Sequence, residues 1–298
     1  MFRRIIVGAD GSPEGQDAVV LGAEIAAATG AGLTLLQSFA PFLMSTRGAM
    51  DRQSQVQEAE RLLRADRHRF APDAHIEIVA DSNPARALRE HAERWNADLV
   101  VIGSSHHAAF GRSCIGQTGR RLLDNMPAAL AIAQRGLHEQ GLRLSTIAVG
   151  YDGGPESERA LKLADDLASS ADAELLIETV NPEPLPAIAI GGTEGEGWAH
   201  VREHEQRDAR ELGLRAAAQA TARVQVDARV SDPGHELREL SSSVDVMVIG
   251  SRRWGAFARV VLGGVGETLV SDCGSSLIII ARRAPLHSEH PKAAAKQD

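Results

Sequence analysis

The chain says nearly the same thing twice, and that constrains its fold more than any other feature. Ile5-Ile6-Val7-Gly8-Ala9-Asp10-Gly11-Ser12-Pro13-Glu14 returns as Ile147-Ala148-Val149-Gly150-Tyr151-Asp152-Gly153-Gly154-Pro155-Glu156, an offset of 152 − 10 = 142. Ala97-Asp98-Leu99-Val100-Val101-Ile102-Gly103-Ser104 returns as Val244-Asp245-Val246-Met247-Val248-Ile249-Gly250-Ser251, an offset of 250 − 103 = 147. The order is kept and the drift is only five residues (147 − 142). The repeat is far longer than the roughly 20–50 residues of a solenoid period. One module of domain size has been duplicated, with boundaries expected at 1–137 and 142–284.

Each half alternates short β-branched apolar runs with helix-like segments. The runs are Arg4–Gly8, Leu33–Phe39, His75–Ala80, Leu99–Gly103 and Ala129–Gln134, then Thr146–Tyr151, Glu174–Val180, Val224–Val230, Val246–Gly250 and Leu277–Ala281. Continuous rather than alternating apolar runs suit strands buried on both faces of a parallel sheet. Ala18, Leu21, Gly22 and Ile25 fall at i, i+3, i+4 and i+7, and Ala160, Leu163, Ala164 and Leu167 repeat the pattern. Pro13 and Pro155 stand near the starts of these helices, where a missing N–H costs little. The expectation is an α/β protein with two doubly wound, five-stranded, parallel-type sheets related by a pseudo-two-fold axis. The last strand of each half should lie at that axis. Pro41–Met50 and the glycine-rich Asn181–Trp198 interrupt the pattern, the latter reading either as a lid or as a surface insertion. Gly136–Gly141 reads as a linker, and 286–298 as a disordered tail.

Composition narrows the partners. A formal charge of −8 argues against a nucleic-acid partner, which needs a basic face. Two cysteines, Cys114 and Cys273, make neither a disulfide framework nor a metal motif and fit a reducing cytoplasm. The N-terminus lacks a signal peptide's apolar region, and no run approaches the ~20 apolar residues of a membrane helix. A soluble cytoplasmic protein is expected, with no membrane partner.

In an open parallel sheet, ligands bind at the carboxyl ends of the strands, where the strand order reverses. Asp10 and Gly103 fall there, with Asp152 and Gly250 as counterparts. Gly116 and Gly263 each lie thirteen residues after the first glycine and just before a helix, a place suited to phosphate. The glycines equally permit tight turns. Asp10 and Asp152 read either as ribose-hydroxyl acceptors or as caps of the following helix. Arg120 and Arg121 in the helix after the first glycine loop, against Glu267 and Thr268 in the second, favour the first half for phosphate. His200 and His204, four apart, lack a third metal ligand implied by spacing, and Cys114 reads as a reactive thiol or a small turn residue. Trp95, Trp198 and Trp254 are too scattered for a base-stacking platform. Neither a Gly-x-Ser-x-Gly elbow nor a Gly-Lys-Ser/Thr phosphate loop occurs. No catalytic residue and no metal site is therefore assigned.

These same residues resemble the universal stress protein family, as two tandem modules. The likeness rests on Val7-Gly8-Ala9-Asp10-Gly11-Ser12-Pro13-Glu14, on Asn83-Pro84-Ala85-Arg86-Ala87-Leu88, and on Ala97–Ser104 with the glycine loop that follows. It implies a Rossmann-like strand order of 3-2-1-4-5, modules paired through their last strands, and ATP bound without fast turnover. ADP or AMP is an alternative ligand, and Mg2+ would accompany ATP. Carried over residue by residue, the family's glycine motif falls on Gly103 and Gly116, and on Gly250 and Gly263. Its middle glycine is replaced by His106 and Arg253, whose side chains either crowd the phosphate path or donate to a phosphate. The hydroxyl position holds Gln117 and Gly264, with Thr118 one place later and Val265 its counterpart. Ala9 and Tyr151 sit beside the aspartates, and the backbone that meets adenine falls at Ser38 and Val180. The resemblance implies a non-catalytic, adenine-nucleotide-responsive stress regulator that self-associates. The alternatives are a protein-interaction dimer with a decayed nucleotide site, and a slow ATPase.

Overall fold

The computed structural model describes residues 1–40, 52–123, 126–183, 196–251 and 262–280. Five strands form in the first half: β1 (Arg4–Gly8), β2 (Gly32–Phe39), β3 (His75–Ala80), β4 (Leu99–Ile102) and β5 (Ala129–Ile132). Five more follow: β6 (Thr146–Gly150), β7 (Glu174–Asn181), β8 (Arg223–Val230), β9 (Val246–Gly250) and β10 (Ser276–Ile280). Between them run α1 (Pro13–Thr29), α2 (Arg52–Phe70), α3 (Pro84–Trp95) and α4 (Gln117–Leu123), the single turn α5 (Leu137–Gln140), then α6 (Pro155–Ala171), α7 (Glu196–Ala217), α8 (Pro233–Ser241) and α9 (Gly264–Ser271). The Pro41–Met50 segment, most of Asn181–Trp198 and the 286–298 tail lie outside the described residues.

Helix α1 shows why these segments fold as they do. Ser12 caps it through its hydroxyl, which accepts the Gly15 N–H at 3.1 Å, Pro13 opens it, and Gly30 ends it in the left-handed region. Ala18, Leu21, Gly22 and Ile25 are buried, and so are Ala160, Leu163, Ala164 and Leu167 on α6. Helices α1 and α6 pack on each other and share one core layer with the sheet, while the side chains of α3, α4, α8 and α9 fill the other.

The expectation of two separate sheets is corrected. All ten strands join one sheet, in the order β3-β2-β1-β4-β5-β10-β9-β6-β7-β8. Each half keeps the order 3-2-1-4-5, but β5 and β10 pair antiparallel and close the seam. The reason is that each last strand is buried along its whole length. A buried edge strand must satisfy its free N–H and C=O groups, and here the other half supplies the partners. The register is self-complementary. Ala131 pairs with Ile278, its own counterpart (278 − 131 = 147), while Leu130 pairs with Ile279 and Ile132 with Leu277. Residue i meets j and j meets i, as in a two-fold homodimer interface.

The segment read as a linker is docked. Gly136, at φ 100, starts the α5 turn and Gly141, at φ 74, ends it. Asp17 of α1, fully buried, accepts the Gly136 N–H at 2.9 Å and the His138 N–H at 2.8 Å, and lies 2.6 Å from His138 Nδ1. Nothing in the sequence pattern had marked Asp17, because its role depends on a segment about 120 residues away.

Candidate functional site

A cavity of about 780 Å3 opens at the carboxyl ends of β1, β2 and β4, on the side covered by α3 and α4. Its size falls in the range of small-molecule sites. The eight first-half residues carried over for nucleotide line it: Ala9, Asp10, Ser38, Gly103, His106, Gly116, Gln117 and Thr118. Leu36, Leu88 and Ile102 give it an apolar lining around Gly8, and Ser104, Ser105, His106, His107 and Thr118 give it a polar one. The sequence reading missed Leu36, Leu88 and Asp81. The signal available for Leu36 was its place two residues before Ser38 on a strand that ends in the crevice.

The two conspicuous glycines differ in kind. A Cβ on Gly103 would overlap the Glu14 carbonyl oxygen in the first turn of α1, and Gly250 stands in the same relation to Glu156. Those glycines let a strand end meet a helix start, and the fold requires them. Gly116 is otherwise: a Cβ there would lie 3.8 Å from Ser105, in ordinary contact, and its backbone is not left-handed. The fold does not need Gly116, so its missing side chain keeps cavity space open.

The walls are fixed by charge-assisted bonds. Asp81 takes Arg86 as a fork, with Nε at 2.7 Å and Nη2 at 2.6 Å, and also accepts the Asn83 N–H at 2.8 Å. The hydrogen bond from Arg86 holds the Asp81 carboxyl below its ordinary range. Asn83 caps α3 by accepting the Arg86 N–H at 3.2 Å, so the Asn83-Pro84-Ala85-Arg86 motif builds this wall. Arg135 donates to the carbonyls of His106 at 3.1 Å and Ala108 at 2.6 Å, and its Nε lies 3.9 Å from Glu14. The other half holds the glycine loop as well. Ser113 and Cys273 exchange backbone bonds of 2.7 and 3.0 Å, and the Ile115 N–H donates to the Val270 carbonyl at 2.7 Å. Arg112 pairs with Asp272, whose second oxygen lies 3.3 Å from Arg238.

Other assignments resolve one by one. Asp10 Oδ1 accepts both the N–H and the hydroxyl of Ser12, so the aspartate does shape the turn that leads into the cap; its carboxylate stays exposed at the cavity. Asp152 accepts the Gly154 N–H at 2.9 Å and the Ser157 hydroxyl at 2.7 Å. Exposed His106 lies against His107 with the rings tilted by 44° and their centroids 3.8 Å apart. Arg253 lies outside the described residues. Arg120 does not line the cavity; it faces Glu267 of the other half at 3.7 Å, and Arg121 does not line it either. Tyr151 buries its ring and donates its hydroxyl to Glu158; burial first, and then that bond, raises its pKa. Gly263 caps α9, Gly264 and Val265 form its first turn, and Val180, one residue before the end of β7, pairs with Arg229 of β8. Cys114 is half-buried, and His204 is an exposed ion-pair partner of Asp208 at 3.0 Å. Trp95 meets His91 edge-on within its own helix.

The model of the universal stress protein family matches this chain twice, over residues 1–134 and 144–281. The chain belongs to that family. A universal stress protein of Mycobacterium tuberculosis is 24% identical over 303 residues, covering 93% of this chain and 94% of its own length. One from Mycolicibacterium smegmatis is 26% identical over 302 residues, covering 94% of this chain and 97% of its own. Among solved structures, a universal stress protein from Archaeoglobus fulgidus aligns with a TM-score of 0.67 at 16% identity, covering 94% of this chain and 98% of that one. A putative one from Pseudomonas aeruginosa aligns at 0.64 with 15% identity, covering 94% and 93%. The likeness to these structures establishes the shared fold. Among the described residues of this universal stress protein, no helix is long and apolar enough to cross a membrane.

Proposed function

We propose that the first-half cavity binds an adenine nucleotide, and that the protein acts through what it binds rather than what it converts. The observation that carries the reading is the convergence of Asp10, Ser38, Gly103, Gly116 and Thr118, scattered over about 110 residues of sequence, on one cavity with both apolar and polar lining. The apolar lining of Leu36 and Leu88 suits a purine face. Exposed Asp10 is the ribose acceptor, and the hydroxyls and imidazoles of Ser104, Ser105, His106, His107 and Thr118, with the space left by Gly116, receive phosphate. The cavity's acids do not repel it fully, because Asp81 is neutralised by Arg86 and Glu14 lies near Arg135. Among the described residues no group of three His, Cys, Asp or Glu side chains could hold a metal ion. A Mg2+ ion arriving with ATP would rely on the ligand's own phosphate oxygens.

Nucleotide released by heat from freshly purified protein identifies the ligand, and titration calorimetry measures it. Asp10→Ala should weaken ATP and AMP alike by roughly ten- to a hundredfold, the worth of one charge-assisted hydrogen bond. Absence of any adenine nucleotide binding would sink the reading and leave the protein-interaction alternative.

A further inference from the structure

The two halves carry opposite chemistry at the place where the base would sit. Leu36 of β2 and Glu178 of β7 are structural counterparts: Leu36 pairs with Gly8 and Glu178 with Gly150. Their carbonyls accept the N–H of Ala9 at 3.1 Å and of Tyr151 at 2.9 Å. Val79, opposite Ser38, corresponds to Arg229, opposite Val180. On the covering helices, Ala87 stands three residues after Pro84, and Glu236 stands three after Pro233. Three apolar positions of the first half are thus Glu, Arg and Glu in the second.

These charges form one cluster. Glu178 is 2% exposed, with Oε2 buried and unpartnered, and its Oε1 is 3.5 Å from Arg229 Nε. Arg229 also bonds Asp227 at 2.8 Å through Nη2 and Glu236 at 2.9 Å through Nη1. One guanidinium therefore ties β7, β8 and α8 together across the second crevice. We infer that this cluster closes the second half's base pocket to a purine, so that the chain holds a single nucleotide, in its first half. Rested on the nucleotide reading above, the inference adds where binding stops and which residues stop it. A base entering the second crevice would have to draw Arg229 off Glu178 and Glu236. That would leave a buried carboxylate without its cation, the costly way to break a buried ion pair. Burial and the neighbouring Asp227 carboxylate push the Glu178 pKa up to about 7, as expected of a dry, crowded carboxyl group.

The test uses adenosine, which needs only the base and ribose positions, with the full chain. Equilibrium dialysis and 2-azidoadenosine photolabelling should give one site per chain, with label confined to first-half peptides. The variant E178L/R229V/E236A, which installs the first half's residues, should raise the count by one, with the new label in second-half peptides. Two sites in the wild-type chain, or label in its second half, would overturn the inference; so would a folded triple variant that gains no site. No binding by wild type but one site gained by the variant would defeat the first-half reading and the single-site count with it, leaving only the closure of the second crevice.

Discussion

At the ends of β2 and β7 the backbone is the same and the side chains are not. Both strands hand their carbonyl to the residue after the first strand of their half, and both lie beneath a helix opened by proline. In the first half the floor is leucine and the crevice above it is a cavity. In the second half the floor is a buried glutamate under an arginine fork. Duplication preserved hydrogen-bonded geometry, which any side chain can satisfy, and released the side chains that face the crevice. The glycines divide along the same line. Gly103 and Gly250 are held by contact with a helix start in both halves, whereas Gly116 answers to the cavity alone.

Breaking the shared frame should have the largest effect. Gly103→Ala and Gly250→Ala each force a Cβ onto a backbone carbonyl that cannot move aside, and each should cost about 3 kcal/mol in urea denaturation. A loss confined to one half would show that the halves do not share this constraint. Next comes the floor. The folded pKa of Glu178 is raised from 4.5 to about 7, so its ionisation opposes folding. Stability is fully retained below the unfolded pKa, is lost as pH rises from about 4.5 to 7, and is level above that. Glu178→Gln should therefore match wild type near pH 4 and exceed it by about 2 kcal/mol at pH 8, read from paired denaturation curves. No corresponding effect is available at Leu36.

Smaller again is the cavity glycine. Gly116→Ala should leave stability within about 0.5 kcal/mol of wild type, yet weaken ATP about tenfold, near 1.4 kcal/mol in calorimetry. A loss of stability without a loss of affinity would return Gly116 to the structural class of Gly103. The smallest effect belongs to the seam. Asp272→Asn weakens its pairs with Arg112 and Arg238, which are partly exposed, and should cost under about 1 kcal/mol. Raised salt should shrink that difference.

The ten strands were legible because parallel strands buried on both faces write continuous apolar runs, and the proline-led helices because their caps are local. The single sheet was not legible. The repeat did place the last strands at the axis, but nothing local to Ala129–Ile132 or Ser276–Ile280 says that they hydrogen-bond to each other and join the two sheets, since pairing across 147 residues leaves no local mark. Arg120 was misjudged for a similar reason. Its place in the helix after the glycine loop suggested phosphate, but the seam turns it toward Glu267. The site's polar residues were found through their loops, whereas Leu36 and Asp81 were missed because they become site residues only once β2 lies beside β1 and β3 beside β2. Glu178 carried a signal that went unread: a carboxylate inside the apolar run Glu174–Val180, at the counterpart of a leucine.

The seam has a consequence for how chains recognise one another. Positions 120 and 267 are equivalent by the repeat (267 − 120 = 147) and meet across the axis as arginine and glutamate. Positions 131 and 278 meet there as alanine and isoleucine. In an assembly of two identical modules, equivalent positions carry the same residue, so a first half facing another first half would set arginine against arginine and alanine against alanine. Two second halves would set glutamate against glutamate and crowd isoleucine on isoleucine. Covalent fusion thus allowed the contact to become a lock and key of unlike parts, in which each half is the other's preferred mate and a poor one for itself.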